Sequence, residues 1–415
     1  MAADIEALWK EAIAHHSAGR PAAAIANYLQ IIGRDANHHV VMNHLGAALA
    51  ETGNHAEALH WLAKSVELSP ARARYWFNYG RAYQMTGKLD EAAGCFAESH
   101  RLDPANKPNI VQLARVQTQR KDHAHAIELL RPLLSANPNE IEIIDLLVIA
   151  YYESGHVDYA TQLSRHSLTV KDFDAQTHHF ETGNRQPRPA QVSLRSRLPP
   201  PPPTPETRHR NIIALSLWSD APRMVGAARG NIRRAKVHLP HWQVRVYCAA
   251  ALEDEAIKVL KEEGAEVIPH GSPPAPGAGA FRNLESLGDY LCHRVLLRDA
   301  ERGIGAKEAA AVAAWVESGL PFHIMRDHVC TLEILPAGFW GAISGRLGGV
   351  TDASRRYAAG PARQACQLFL RNEIWPVIKS QCLIHDGVHD LFEARPFPDF
   401  TPGENEPPFV GAMRR

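Results

Sequence analysis

Val295–Arg302, VLLRDAER, is a short apolar run that stops abruptly at Arg298-Asp299-Ala300-Glu301-Arg302. A continuous apolar run of strand length reads as a buried strand of a parallel sheet, and open α/β sheets gather ligands at the carboxyl ends of such strands. Here that end delivers two acids. Asp299 and Glu301, one residue apart just past the strand, can offer two carboxylate oxygens to one hard divalent cation that keeps a substrate phosphate as a further ligand. A nucleoside-diphosphate sugar is one such partner. The structural alternative is that the acids cap the helix beginning near Lys307, or pair with Arg298 and Arg302.

Working outward, residues 211 to about 400 alternate strand and helix signals. Asn211–Trp218 reads as a first strand, Arg223–Val237 as a helix, Trp242–Cys248 as a second strand, Glu253–Glu263 as a helix and Ala265–Pro269 as a third strand. A Pro/Gly loop, PPAPGAG, follows. After VLLRD come a helix over Lys307–Ser318 and a strand, Phe322–Arg326, that again ends in charge at Arg326-Asp327-His328. The alternation predicts a three-layer α/β domain with a mostly parallel sheet that delivers polar groups to one edge.

The rest of the chain is organised differently. Ala24, Ala58, Ala92, Ala126 and Ala160 recur every 34 residues, as do Gly19, Gly53, Gly87 and Gly155, with Lys121 in the missing place. Pro70, Pro104 and Pro138 keep the same step. At Trp76, Tyr79, Gly80, Tyr83, Ala92, Phe96 and Pro104 the sequence resembles the tetratricopeptide repeat family. Each unit is then a helix pair, in which Gly46 or Gly80 lets one helix approach its partner and Pro ends the second helix. Five pairs form an all-α superhelix over residues 1–172, whose concave groove suits a protein or peptide partner. His39, His44, His55 and His60 straddle two helices and read as solvated or groove-facing. Between 173 and 209 the composition shifts, with Pro199–Pro203 in an unbroken row. That segment reads as a semi-rigid extended spacer.

The chain has 415 residues, with 45 basic and 45 acidic, so no bulk attraction to nucleic acid or anionic membrane is expected. Six cysteines without a CxxC pair fit reduced thiols. The start lacks the apolar core of a signal peptide, and no apolar run approaches membrane-spanning length, which points to a cytoplasmic protein. P-loop, dinucleotide, serine-hydrolase and zincin motifs are missing from the sequence. The sequence leaves the oligomeric state open.

A second resemblance covers 210–411. The ordered series SLWSDAPR (216–223), VRVY (244–247), LLRDAER (296–302), KEAAAVAAW (307–315), FHIMRDH (322–328), GFWG (338–341), QLFLRNEIWP (367–376), LIHD (383–386) and FVG (409–411) is similar to a family of bacterial glycosyltransferase-like proteins. It implies a nucleotide-diphospho-sugar transferase (GT-A-type) fold with an Asp-x-Asp motif. On that resemblance Asp299 and Glu301, joined by His385 and Asp386, hold Mn²⁺ or Mg²⁺ against the donor diphosphate. Leu217 and Trp218 lie near the nucleotide base, and Arg223, Arg298 and Arg326 contact the donor. Asp327 and Gln367 take catalytic or sugar-orienting places.

The implied reaction is metal-dependent glycosyl transfer from a nucleotide-sugar to an acceptor recruited by the repeats. Two positions depart from the family pattern: Glu301 replaces the second Asp, and Cys366 stands where the family shows an acid before Gln. These departures keep a second reading open, a non-catalytic repeat scaffold with a degenerate domain. A third, a metal-dependent hydrolase, draws on Asp327, His328, His385, Asp386 and His389; the alternative for His389 and Asp390 is a surface turn.

Overall fold

The structure, a computed structural model, describes residues 2–184, 192–217, 221–249, 252, 254–270, 278–358, 365–402 and 410. It divides into two compact units, Met1–Ala160 and Thr161–Arg415.

The first unit is built from helix pairs: α1 (Ala2–Ser17) with α2 (Pro21–Arg34), α3 (His39–Glu51) with α4 (His55–Leu68), α5 (Ala73–Met85) with α6 (Leu89–Leu102), α7 (Lys107–Gln119) with α8 (His123–Ala136), and α9 (Ile141–Glu153) with the start of α10 (Val157–Asn184). Every alanine of the ladder is fully buried. The glycines of the first helices show why. A Cβ on Gly46 would lie 2.5 Å from Leu62 Cγ, and one on Gly80 would lie 3.0 Å from the Phe96 ring, so only hydrogen fits between the paired helices. Pro70, Pro104 and Pro138 directly follow the C-caps Ser69, Asp103 and Asn137, where a residue without N–H ends a helix.

The turn inside each pair needs a left-handed residue. Gly19, Gly53, Gly87 and Gly155 have φ of 68°, 86°, 74° and 85°, and Lys121 is held at 66° in the same role. A side chain there is strained where glycine is not.

The histidines of the second repeat divide. His39 Nδ1 lies 2.8 Å from the Tyr75 hydroxyl. His44 packs edge-on against Trp9 at 5.0 Å and also touches Tyr28 and His16. Burial, with Arg74 and His16 adding to it, lowers the His44 pKa to about 4.

The second unit holds a seven-stranded sheet. Its strands are β2 (Asn211–Leu217), β3 (Gln243–Ala249), β4 (Glu266–His270), β5 (Arg294–Asp299), β6 (Phe322–Arg326), β7 (Phe339–Ile343) and β9 (Cys382–Asp386), in the order β4-β3-β2-β5-β7-β6-β9. Six strands run parallel, and β7 runs antiparallel between β5 and β6. The sequence reading assigned no strand to GFWG, which opens β7.

Helices α11 (Pro222–His238), α12 (Asp254–Glu262) and α13 (Ala306–Ser318) cover one face around Ile213, Leu215, Leu296 and Trp315. The 3₁₀ stretch Ala278–Gly288, α14 (Val350–Ala358), α15 (Ala365–Phe369) and α16 (Trp375–Ile378) cover the other around Ile212, Ala214, Leu297 and Trp340. None of the six cysteines, all of them among the described residues, is in a disulfide.

The second compact unit begins at Thr161, and the segment expected as a linker over 173–209 falls within its bounds. From Thr161 onward α10 belongs to the second unit, and its Leu168 and Ala175 enter that unit's core. Asp172 accepts from Trp375 Nε1 and Lys379 Nζ, both at 2.7 Å. The proline-rich segment is also fastened here rather than spacing two domains. Strand β1 (Ser193–Leu194) pairs antiparallel with β8 (Leu347–Gly348). Consecutive prolines have carbonyls but no N–H to satisfy, and Arg294, buried at the start of β5, donates to Pro200 O and Pro201 O at 2.7 Å each.

Two predictions follow from the first unit. Lys121→Gly raises, and Gly53→Ala lowers, the stability of the full chain by about 1 kcal/mol in denaturant titrations, whereas Gly46→Ala costs about 1–3 kcal/mol because Leu62 must give way. His44 has a depressed folded pKa, so its stabilising neutrality is complete above its ordinary value of 6.5 and is lost as pH falls toward about 4. Thermal unfolding between those pH values shows a loss of about 2 kcal/mol that shrinks in His44→Gln.

Candidate functional site

The strand order reverses at β2: β3 and β4 add on one side, and β5 takes the other. In an open α/β sheet the carboxyl ends of the strands at such a reversal border the ligand crevice. Ser216 of β2 is in register with Asp299 of β5 and with Tyr247 of β3. Side chains alternate along a strand, so Ser216 follows Ile212 and Ala214, and Asp299 follows Val295 and Leu297, onto one face of the sheet. Asp299 is exposed, as the apolar run ending there requires.

The backbone around Asp299 is braced from the opposite face. Arg298 has no solvent contact. Its Nη1 donates to Gly338 O at 2.8 Å, its Nη2 donates to Arg302 O at 3.3 Å, and its Nε lies 2.9 Å from Glu308 Oε1 of α13. Burial lowers the Arg298 pKa and raises that of Glu308, each partly offset by the other.

Asn231 of α11 completes the brace. It donates to Ala300 O and Arg302 O at 2.8 and 3.0 Å and accepts from Ile304 N at 3.0 Å. Gly338 fits closely beside the acid, since a Cβ there would lie 2.8 Å from Asp299 N and Cβ. The Asp299 carboxylate accepts from Glu301 N at 3.0 Å, and Glu301 pairs with Arg223 at 3.3 Å rather than with Arg298 or Arg302. Helix α13 starts from Gly305 without a side-chain cap, so the capping alternative fails too.

The residues expected to contact the donor lie as follows. Leu217 is buried in the helix-covered core, because alternation turns it away from the Ser216 face. Arg298 points inward for the same reason and cannot clamp phosphate. Arg326 is buried, with Nε 2.9 Å from Asp386 Oδ2 and Nη1 donating to Ile334 O. Trp218 lies outside the described residues. Arg223, largely exposed at the start of α11, is the donor cation of the predicted set that solvent reaches.

The four predicted metal ligands do not converge. Asp299 ends β5 and Asp386 ends β9, with β7 and β6 between them. Three strand spacings are about 14 Å, too far to share one cation. Asp386 accepts from Arg326, Val388 N, His389 N and the His389 ring. Against the upward push of burial, His389 and Arg326 hold its carboxyl well below the usual carboxylate range. His385 Nδ1 meets His323 Nε2 at 2.8 Å, and His323 stacks on Trp315. Burial lowers the His385 pKa to about 4 and, with His385 adding to it, pushes that of His323 well below its ordinary value. His389 is fully buried, not part of a surface turn. Among the described residues no three His, Cys, Asp or Glu side chains group as a metal site.

The predicted catalytic residues are both engaged. Asp327 accepts from Lys307 Nζ at 2.6 and 2.7 Å and from Val410 N at 2.9 Å. Gln367 donates to Leu335 O and accepts from Ala337 N, which fixes the turn leading into Gly338 and so bears indirectly on Asp299. Burial pushes the Cys366 thiol up to about 12, so it is no base in the place of the family's acid. Sequence reasoning missed Ser216, Asn231, Glu308 and Gly338. A strict period-2 reading of the two strand ends would have found Ser216; Asn231 and Glu308 carry no local signal.

Comparison with known proteins bears on the first unit. The tetratricopeptide repeat family matches residues 37–105. A heat shock protein sti1 homolog of Schizosaccharomyces pombe is 32% identical over 83 residues, 20% of this chain and 14% of that protein. A BBSome complex member BBS4 homolog of Drosophila melanogaster is 35% identical over 74 residues, 17% of this chain and 15% of that protein. The chain thus spans about one seventh of the length of these relatives. The crystal structure of MamA protein covers 42% of this chain and 96% of its own at 21% identity and a TM-score of 0.39. Among the described residues no helix is long and apolar enough to cross a membrane. The N-terminal unit is a helical array that carries tetratricopeptide repeats over residues 37–105.

Proposed function

We propose that the protein is first a recruiting molecule, holding an extended polypeptide partner in the groove of its repeat array. The tetratricopeptide match within an unbroken 34-residue ladder carries this reading. The first helices of successive repeats are linked by side-chain amides, Asn78 to Asn43 at 2.7 Å and Gln84 to Gln119 at 3.4 Å. Arg74 and Arg81 share the Asn78 face of α5 by helical spacing and are exposed. Amides suit a peptide backbone, and two guanidinium groups beside them suit an acidic segment. In fluorescence anisotropy at low salt, acidic ten-residue peptides bind more tightly than basic ones, and Arg74→Glu/Arg81→Glu abolishes the preference. Equal binding of both peptide classes contradicts it.

A second reading is favoured by one observation, the exposed carboxylate of Asp299 on a braced loop where the strand order reverses. On this reading the α/β domain binds a nucleoside-diphosphate sugar and transfers the sugar to the recruited partner. The donor set fits Mg²⁺ or Mn²⁺ in part. Asp299 and Glu301 would hold the ion, with diphosphate oxygens and water completing its shell, while His385 and Asp386 take no part. When bound, the ion supplies Lewis-acid stabilisation of the departing diphosphate. The chain's own contribution is placement: Asn231, Arg298 and Gly338 fix the loop, and Arg223 balances Glu301.

The scaffold reading is supported by the number of predicted site groups that serve internal ion pairs. Calorimetric titration of ADP, CDP, GDP and UDP with Mn²⁺, against chelator and Asp299→Ala, separates the two. Transfer predicts metal-dependent binding weakened at least tenfold in the variant; a folded protein that binds none of them is a scaffold.

A further inference from the structure

Ser216 is a buried hydroxyl that the fold does not use. Among the described residues its Oγ has no hydrogen-bond partner, and the residue is only 4% exposed. An unsatisfied buried hydroxyl costs about 1–3 kcal/mol, and proteins retain such groups where something other than folding needs them. Its position says what that is. Ser216 lies one strand from Asp299, in register and on the same face, at the reversal of strand order. Tyr247, also in register, continues the row on the far side and packs into the apolar core of that face.

Adjacent strands are about 4.8 Å apart. In a nucleoside diphosphate the ribose is next to the phosphates, and its hydroxyls both donate and accept, as serine does. A diphosphate anchored at Asp299 therefore brings its ribose to the level of Ser216.

We propose that Ser216 is a ribose-recognising residue, hydrogen-bonding a ribose hydroxyl of the nucleoside diphosphate anchored beside Asp299. The proposal rests on the donor-binding reading of that edge.

A hydrogen bond that replaces an orphan hydroxyl is worth about 1–1.5 kcal/mol, or about five- to thirteenfold in affinity. The test compares each of ADP, CDP, GDP and UDP with its 2′,3′-dideoxy form, all with Mn²⁺, on the full chain and on Ser216→Ala. The wild type prefers the ribose form of its tightest ligand by about five- to tenfold, and Ser216→Ala reduces that ratio to near one. The variant's melting temperature is unchanged or higher, because a costly orphan has gone; a structural serine would instead lower it.

Three results overturn the proposal. One is a ribose preference that survives in Ser216→Ala, and another is equal binding of ribose and dideoxy forms by the wild type; both leave the donor reading standing. The third, a wild type that binds no nucleoside diphosphate, removes the donor reading as well.

Discussion

Arg298 and Glu308 place two opposite charges out of reach of solvent under the end of β5. Such a pair is costly to desolvate, and Glu308 has no partner beyond Arg298 among the described residues, so the remaining support falls to the arginine. Arg298 donates to two backbone carbonyls, those of Gly338 and Arg302, which flank Asp299 in space. The arrangement therefore cannot relax without freeing the loop that carries the acid. Asn231 fastens the same loop at three further points, and Gly338 closes against it. The exposed carboxylate is thus the tip of a rigid, internally neutral assembly. Preorganisation of this kind is what a ligand site on a strand end requires.

The repeat array depends on a simpler constraint, glycines packed directly against side chains of the paired helix with no room for a Cβ. Gly46 against Leu62 and Gly80 against Phe96 set the helix separation within a pair, and the buried alanines let it repeat. The left-handed turn residues then return the chain, at the cost of strain where Lys121 replaces glycine. Because each pair contacts mainly its neighbours, side-chain amides of successive first helices come side by side, as Asn43 with Asn78 and Gln84 with Gln119.

How much of this the sequence reveals depends on the range of the interaction. The 34-residue period is legible because the contacts behind it recur locally and demand particular residue types. The end of β5 is legible because an apolar run stops at Asp299. Arg298 and Arg326 mislead because a charged residue beside a strand end looks available, whereas the pleat turns it inward onto Glu308 or Asp386. His385 misleads for a related reason: its partner His323 reaches it only because β9 pairs with β6 across a long connection. The fastening of the proline segment rests on Arg294, which nothing near residue 200 announces.

The two halves of the sheet's carboxyl edge therefore differ in character. At β6 and β9 the charges are spent on one another, while at β2 and β5 an acid is exposed and a hydroxyl is unpartnered. Hydrogen–deuterium exchange of the full chain with and without Mn²⁺ and nucleoside diphosphates tests this division most directly. The account predicts added protection confined to residues 211–217 and 299–305. Protection centred on residues 386–395 instead, with 299–305 unchanged, would contradict it.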